Sequence, residues 1–268
     1  MLHEAEARAA ALDDPRRLGQ VALFLSLHCR LIGAYDQATA AGERALALST
    51  ASGAPVLHAL ANINLGQAYQ AQGDYHRAIA CHGQAVVALD GVRGHERFGL
   101  PLLPAVNARA YLAWCYAELG RFAEGWAVGE EGLRIARAVD HPASLMLASW
   151  GDGLLALRQG DLPRALPLLE RAVGLCQDAD LPIFYALMAV ALGAAYTLGG
   201  RVADAVPLLT QALGQSTTTV VVNNQALCSL TPAGGARRSA TRQRKPLTIS
   251  SPLSSSVSVK ISPRPSWR

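Results

Sequence analysis

Three groups of residues in this sequence have types and spacings that could do chemistry. The first is Gly151-Asp152-Gly153-Leu-Leu-Ala156, whose glycines have the spacing of a dinucleotide-binding turn, where a bare backbone approaches a pyrophosphate at a helix N-terminus. That chemistry needs a strand before the glycines, and here they fall inside an expected helix. No Gly-Lys-Ser/Thr phosphate loop exists, and residues 1–230 contain no lysine to serve one, so nucleotide hydrolysis by this chain is not expected. The second group is His76, Cys81 and His82. Helical spacing does not bring these three donors to one face, so they are not read as a metal site, and the two histidines are read as surface or boundary residues. The third is the pair Trp114 and Trp150, which suit partner capture better than catalysis. No catalytic residue, metal site or cofactor is expected, and the chain is not expected to be an enzyme.

The elements that must carry these residues are helices. Hydrophobic residues make up 51% of the 268 and aromatics only 6%, a balance that favours close helix-on-helix packing over a sheet. The five cysteines are scattered, without a Cys-x-x-Cys pair, which fits a reducing cytosol. The N-terminal stretch MLHEAEARAAALDDP is acidic where an export signal would be basic and apolar. Charge is unevenly spread. Residues 1–230 hold 16 arginines against all 20 acidic residues, whereas residues 231–268 hold eight basic residues and no acid. A broad basic surface for nucleic acid is therefore absent from the array, and such binding is expected only through the tail, if at all.

An internal period decides the fold. The pattern Gly-x-(aromatic or aliphatic)-x-x-small recurs from Gly33, Gly73, Gly120, Gly160 and Gly200, at intervals of 40, 47, 40 and 40 residues. Pro15, Pro55, Pro142 and Pro182 each precede the corresponding glycine by 18 residues. Proline opens a helix without losing a hydrogen bond, and glycine ends one by taking the left-handed conformation. Each period thus reads as a first helix, A, and a second helix, B. Expected A helices cover 16–32, 55–72, 104–119, 142–159 and 182–199; expected B helices cover 35–50, 75–89, 122–138, 162–178 and 202–215. Small residues at Ala38, Ala78, Gly125, Ala165 and Ala205 let the two helices approach closely. Residues 181–200 carry no charge over 20 positions, but their repeat markers identify a buried solenoid helix, not a membrane span.

Leu65-Gly66-Gln-Ala-Tyr69-x3-Gly73-Asp-Tyr75-x2-Ala78 resembles the tetratricopeptide signature. The resemblance implies an all-α, right-handed α-solenoid of antiparallel helix pairs, and the Ser/Pro/Arg-rich composition beyond residue 230 predicts a disordered C-terminal tail. It also implies a concave groove lined by the A helices, whose family columns map here to Arg30, Gln67, Gln70, Asn107, Trp114, Trp150 and Arg158. A protein or peptide partner follows, whereas a chaperone-tail clamp does not, since its lysines are missing. In the fourth repeat Asp152 replaces an apolar core residue; it is partnered, protonated or at the groove edge. The long period, and the stretch from Leu112 to Leu145 above all, resembles the arrays of bacterial signalling ATPases and adenylate-cyclase-like regulators.

Four segments are expected: residues 1–14 as the second helix of an incomplete repeat, 15–216 as five helix pairs, 217–230 as the start of a broken sixth repeat, and 231–268 as a Ser/Pro/Arg-rich tail. The abrupt change near residue 230 leaves two explanations, a genuine disordered basic tail and a shifted reading frame, and the break inside a helix favours the second. The seven-residue excess between the second and third turn glycines falls at 90–101, where Arg93, His95, Glu96 and Arg97 read as a solvated charge run or a functional loop. The expected function is a non-catalytic scaffold for protein interaction or ligand sensing, a fragment of a bacterial signalling protein. The alternative is the regulatory remnant of a cyclase or ATPase.

Overall fold

The computed structural model describes residues 14–219, together with positions 4, 7 and 8. Between residues 14 and 219 ten α-helices follow one another: α1 (Pro15–Leu31), α2 (Tyr35–Ala51), α3 (Pro55–Ala71), α4 (Tyr75–Ala88), α5 (Pro104–Glu118), α6 (Phe122–Val139), α7 (Pro142–Gln159), α8 (Leu162–Asp178), α9 (Pro182–Leu198) and α10 (Val202–Thr219), with a 3₁₀ turn at Gly91–His95. Among the described residues there is no strand. Each A helix packs on its own B helix, and also on the A helix of the next repeat. The result is an all-α solenoid of antiparallel pairs.

The local chemistry explains where the chain turns. All five A helices start with proline at the first turn. Asp14, Asp74 and Asp161 cap their helices by accepting a hydrogen bond from the backbone N–H three residues on, at 3.0–3.1 Å, which satisfies an otherwise orphaned donor. The turn glycines all have positive φ, Gly73 at 82° and Gly160 at 87° among them, a region where a side chain would be strained. The expected helices lie within a few residues of the observed ones. The last, α10, continues to Thr219 without a turn. Residues 1–13, apart from the three positions named, and 220–268 lie outside the described residues, and with them most of the incomplete first helix, the broken repeat and the tail.

One packing rule recurs inside the pairs. Seven residues before each turn glycine, helix A offers a small residue, and nine residues after that glycine helix B offers its counterpart. A Cβ on Gly66 would meet the His82 ring at 2.8 Å, one on Gly153 would meet Leu169 at 2.7 Å, and one on Gly193 would meet Leu209 at 2.8 Å. In the first repeat both are small, Ser26 and Gly42, and in the third they are Ala113 and Gly129. In the second, fourth and fifth repeats a large helix B side chain thus fills the notch that a helix A glycine leaves.

His82 corrects the surface reading of the sequence, since it is fully buried in the Gly66 notch. Burial, with a smaller contribution from the Arg30 charge, pushes its pKa down to about 3, so the ring is neutral at ordinary pH. Asp152 is 3% exposed and lies against Gly129, and its Oδ1 has no hydrogen-bond partner. Burial raises its pKa to about 7. Of the three options open from sequence, partial protonation is the one this burial favours.

Candidate ligand groove

The A helices line a concave cavity of about 320 Å³. Residues of α1, α3, α5, α7 and α9 all contribute to it, and Leu100, Pro101 and Leu102 close one side. The helical repeat makes this possible. Residues three, six and thirteen positions before a turn glycine fall on the same face of every A helix, so successive repeats place their side chains in parallel rows along the groove.

Five of the seven sequence-derived positions meet here: Arg30, Gln67, Gln70, Asn107 and Trp114 all line the cavity. The Gln67 amide donates to Asn107 Oδ1 at 3.0 Å, linking α3 to α5. Gln70 is 6% exposed and its Nε2 finds no acceptor. Arg30 Nε is equally without a partner. Trp114 is half-buried, and its indole N–H donates to Glu118 at 2.7 Å.

Trp150 and Arg158 do not line the cavity. Trp150 is 1% exposed and sits beneath the floor, 5.2 Å edge-on from Trp114 and 5.5 Å from Tyr111. Its column, ten residues before the turn glycine, also holds Leu23 and Ile63, which line the cavity, so the column alone does not set its place. Arg158 lies at the rim, where it donates to Glu118 at 2.8 Å, the same carboxylate that holds Trp114. It acts on the groove through that carboxylate.

The sequence reading missed the apolar half of the wall. Phe24 is 50% exposed and Ile183 is 43% exposed, both lining the cavity beside Leu27, Phe184 and Leu187. Leu187 could have been found, because it shares a column with Asn107 and Leu147. Tyr111 was also missed; its ring stacks obliquely on His82 at 5.9 Å and on Trp114 at 5.9 Å. The inserted segment divides in two. Arg93, His95, Glu96 and Arg97 are exposed, while the apolar end at Leu100–Leu102 reaches the groove.

The thiols of Cys81, Cys115 and Cys176, the first half-buried and the other two buried, are poor candidates for covalent chemistry. Burial pushes the Cys115 thiol up to about 12 and the thiols of Cys81 and Cys176 to about 11, which leaves them protonated and weakly nucleophilic. Among the described residues no cluster of three or more His, Cys, Asp or Glu could hold a metal, and no helix is long and apolar enough to cross a membrane.

Residues 57–94 match the tetratricopeptide repeat model. A Podosopora anserina kinesin light chain described as having nearly identical TPR-like repeats superimposes with a TM-score of 0.51 at 20% identity, over 76% of this chain and 97% of that one. The fold is a tetratricopeptide-type solenoid. The same solenoid occurs in a Rap protein complexed with competence and sporulation factor, with a TM-score of 0.65 at 11% identity over 85% of this chain. It occurs again in the Rap conjugation gene regulator of plasmid pLS20 bound to the Phr* peptide, with a TM-score of 0.63 at 14% identity over 88% of this chain. The tetratricopeptide array described here spans 65% and 66% of those two chains. No curated protein matches the sequence significantly.

Proposed function

We propose that this chain is a non-catalytic regulatory scaffold of the cytosol that holds an extended peptide, free or part of a partner protein, along the concave face of its A helices. The observation that carries the reading is the cavity in which Gln67, Gln70 and Asn107 stand among apolar walls. An extended peptide has unpaired backbone N–H and C=O groups along its length, and each of these amides offers both a donor and an acceptor. Phe24, Leu27 and Ile183 supply apolar contact for its side chains. Peptide binding by one of the Rap-type neighbours supports this choice.

Selection of phage-displayed random peptides on the intact chain tests it. Recovered sequences should bind a Gln67→Ala/Asn107→Ala variant about thirtyfold more weakly, the effect of losing two net hydrogen bonds, while far-ultraviolet circular dichroism stays unchanged. Failure to recover any binder, or equal binding by the variant, would overturn the proposal.

A further inference from the structure

The segment between the second and third repeats is built unlike the other connections from a B helix to the next A helix. Those use residues 52–54, 140–141 and 179–181, whereas this one runs over 89–103. The short connections contribute nothing to the cavity; the long one brings Leu100, Pro101 and Leu102 into its wall. Its tip also turns in a costly way. Phe98 and Gly99 both have positive φ, 51° and 77°, and the Leu100 N–H donates to the Arg97 carbonyl at 2.9 Å, a two-residue reversal that glycine adopts freely and phenylalanine does not.

That strain persists because both flanks of the tip are held. Phe98 is half-buried against the core cluster of Ala59, Ile63 and Leu89. Beyond the tip, Leu102 is 6% exposed in the cluster that contains Met146 and Trp150, and the Leu103 N–H donates to Ser144 Oγ at 2.9 Å. Leu100 and Pro101 are thus presented to the groove from a braced strap, and a strained residue that its surroundings hold in place points to a functional constraint. The tip offers shape and no polar chemistry. Proline has no N–H, the Leu100 N–H is already bonded to Arg97, and neither side chain is polar.

A wall of this kind discriminates by size. The cavity, at about 320 Å³, lies at the small end of the range for ligand sites, and rings already stand on it from Phe24, Tyr111, Trp114 and Phe184. A further ring would overpack the space beside a braced strap, whereas a smaller aliphatic group would fill it. We propose that Leu100 and Pro101 form a fixed side wall that selects one side chain of the bound peptide, admitting an aliphatic residue up to the size of leucine and refusing an aromatic ring. The inference deepens the peptide reading above and rests on it.

Peptides recovered by the display selection are synthesised with Leu, Phe or Trp in turn at each apolar position, and their binding is measured by fluorescence anisotropy on the wild-type chain, Leu100→Ala and Phe98→Gly. On the wild type one position should prefer Leu over Trp by about tenfold, the scale on which a close-fitting apolar pocket resolves small differences in size. Leu100→Ala opens the wall, and should remove that preference at this position while leaving the others as they were. Phe98→Gly relieves the strain and frees the strap without altering Leu100, and should relax the same position. Should Leu100→Ala not fold, Leu100→Val asks the same question with a smaller relaxation expected. Absence of such a position on the wild type, a loss shared equally by every peptide, or a preference that survives the substitutions would overturn the inference and leave peptide binding standing. Recovery of no peptide at all would overturn both.

Discussion

The second and fourth repeats share a backbone plan and differ in where they put polarity. Eight residues before the turn glycine the second repeat has Leu65 and the fourth has Asp152; nine residues after it they have His82 and Leu169. In the groove columns three and six residues before the glycine, the second repeat has Gln70 and Gln67, and the fourth has Leu157 and Leu154. Each repeat buries a strongly polar ionisable side chain at a different place, His82 on helix B in one and Asp152 on helix A in the other. The solenoid thus tolerates a polar residue in either helix provided that a glycine opposite makes room for it.

The sharpest break of this comparison is a pH titration of stability, because the two buried groups act with opposite sign. His82 has a folded pKa of about 3 against an ordinary 6.5, so its contribution is intact above 6.5 and is lost as pH falls through that window. The loss at the acid end reaches a few kcal/mol, on the order of what separates two such pKa values in free energy. Asp152 has a folded pKa of about 7 against an ordinary 3.8. Its contribution is intact below 3.8 and is lost as pH rises toward and past 7. His82→Leu, which copies Leu169, should flatten the acid limb of a urea-denaturation profile, and Asp152→Asn should stabilise the chain increasingly as pH rises. A profile unchanged by either substitution would mean that neither group is buried in solution.

A second break fills a notch. Gly153→Val drives a branched side chain into Leu169, and overpacking should cost about 2 kcal/mol. Leu169→Ala should restore part of that loss in the double variant, measured by thermal unfolding, because the knob then yields to the filled notch. Additive losses would show that the two do not share a space. The smallest effect is at the rim. Arg158→Ala removes an ion pair with a half-exposed arginine, which should cost less than about 1 kcal/mol. It should still change Trp114 fluorescence, since Glu118 would lose one of its two donors.

Much of the fold was legible because its signals are local. Pro15, Pro55, Pro142 and Pro182 open helices and the turn glycines close them through backbone chemistry that needs no distant partner. Columns such as Arg30 and Gln70 were legible as one face for the same reason, since helix periodicity alone aligns them. His82 was not, although its alignment with Leu169 and Leu209 carried a signal of burial. A single histidine has no periodicity, and only the missing Cβ of Gly66, sixteen residues earlier, makes a space for it.

The amino-acid sequence by itself determined that this protein is a helical repeat and where its helices begin and end. Tertiary structure decided what each column does. Trp150 went into the core and Trp114 to the wall, although both stand on A helices. It also brought Phe24 and Ile183, 159 residues apart in sequence, to the same cavity. Curvature accumulates over many repeat interfaces, and no single segment of the sequence contains it.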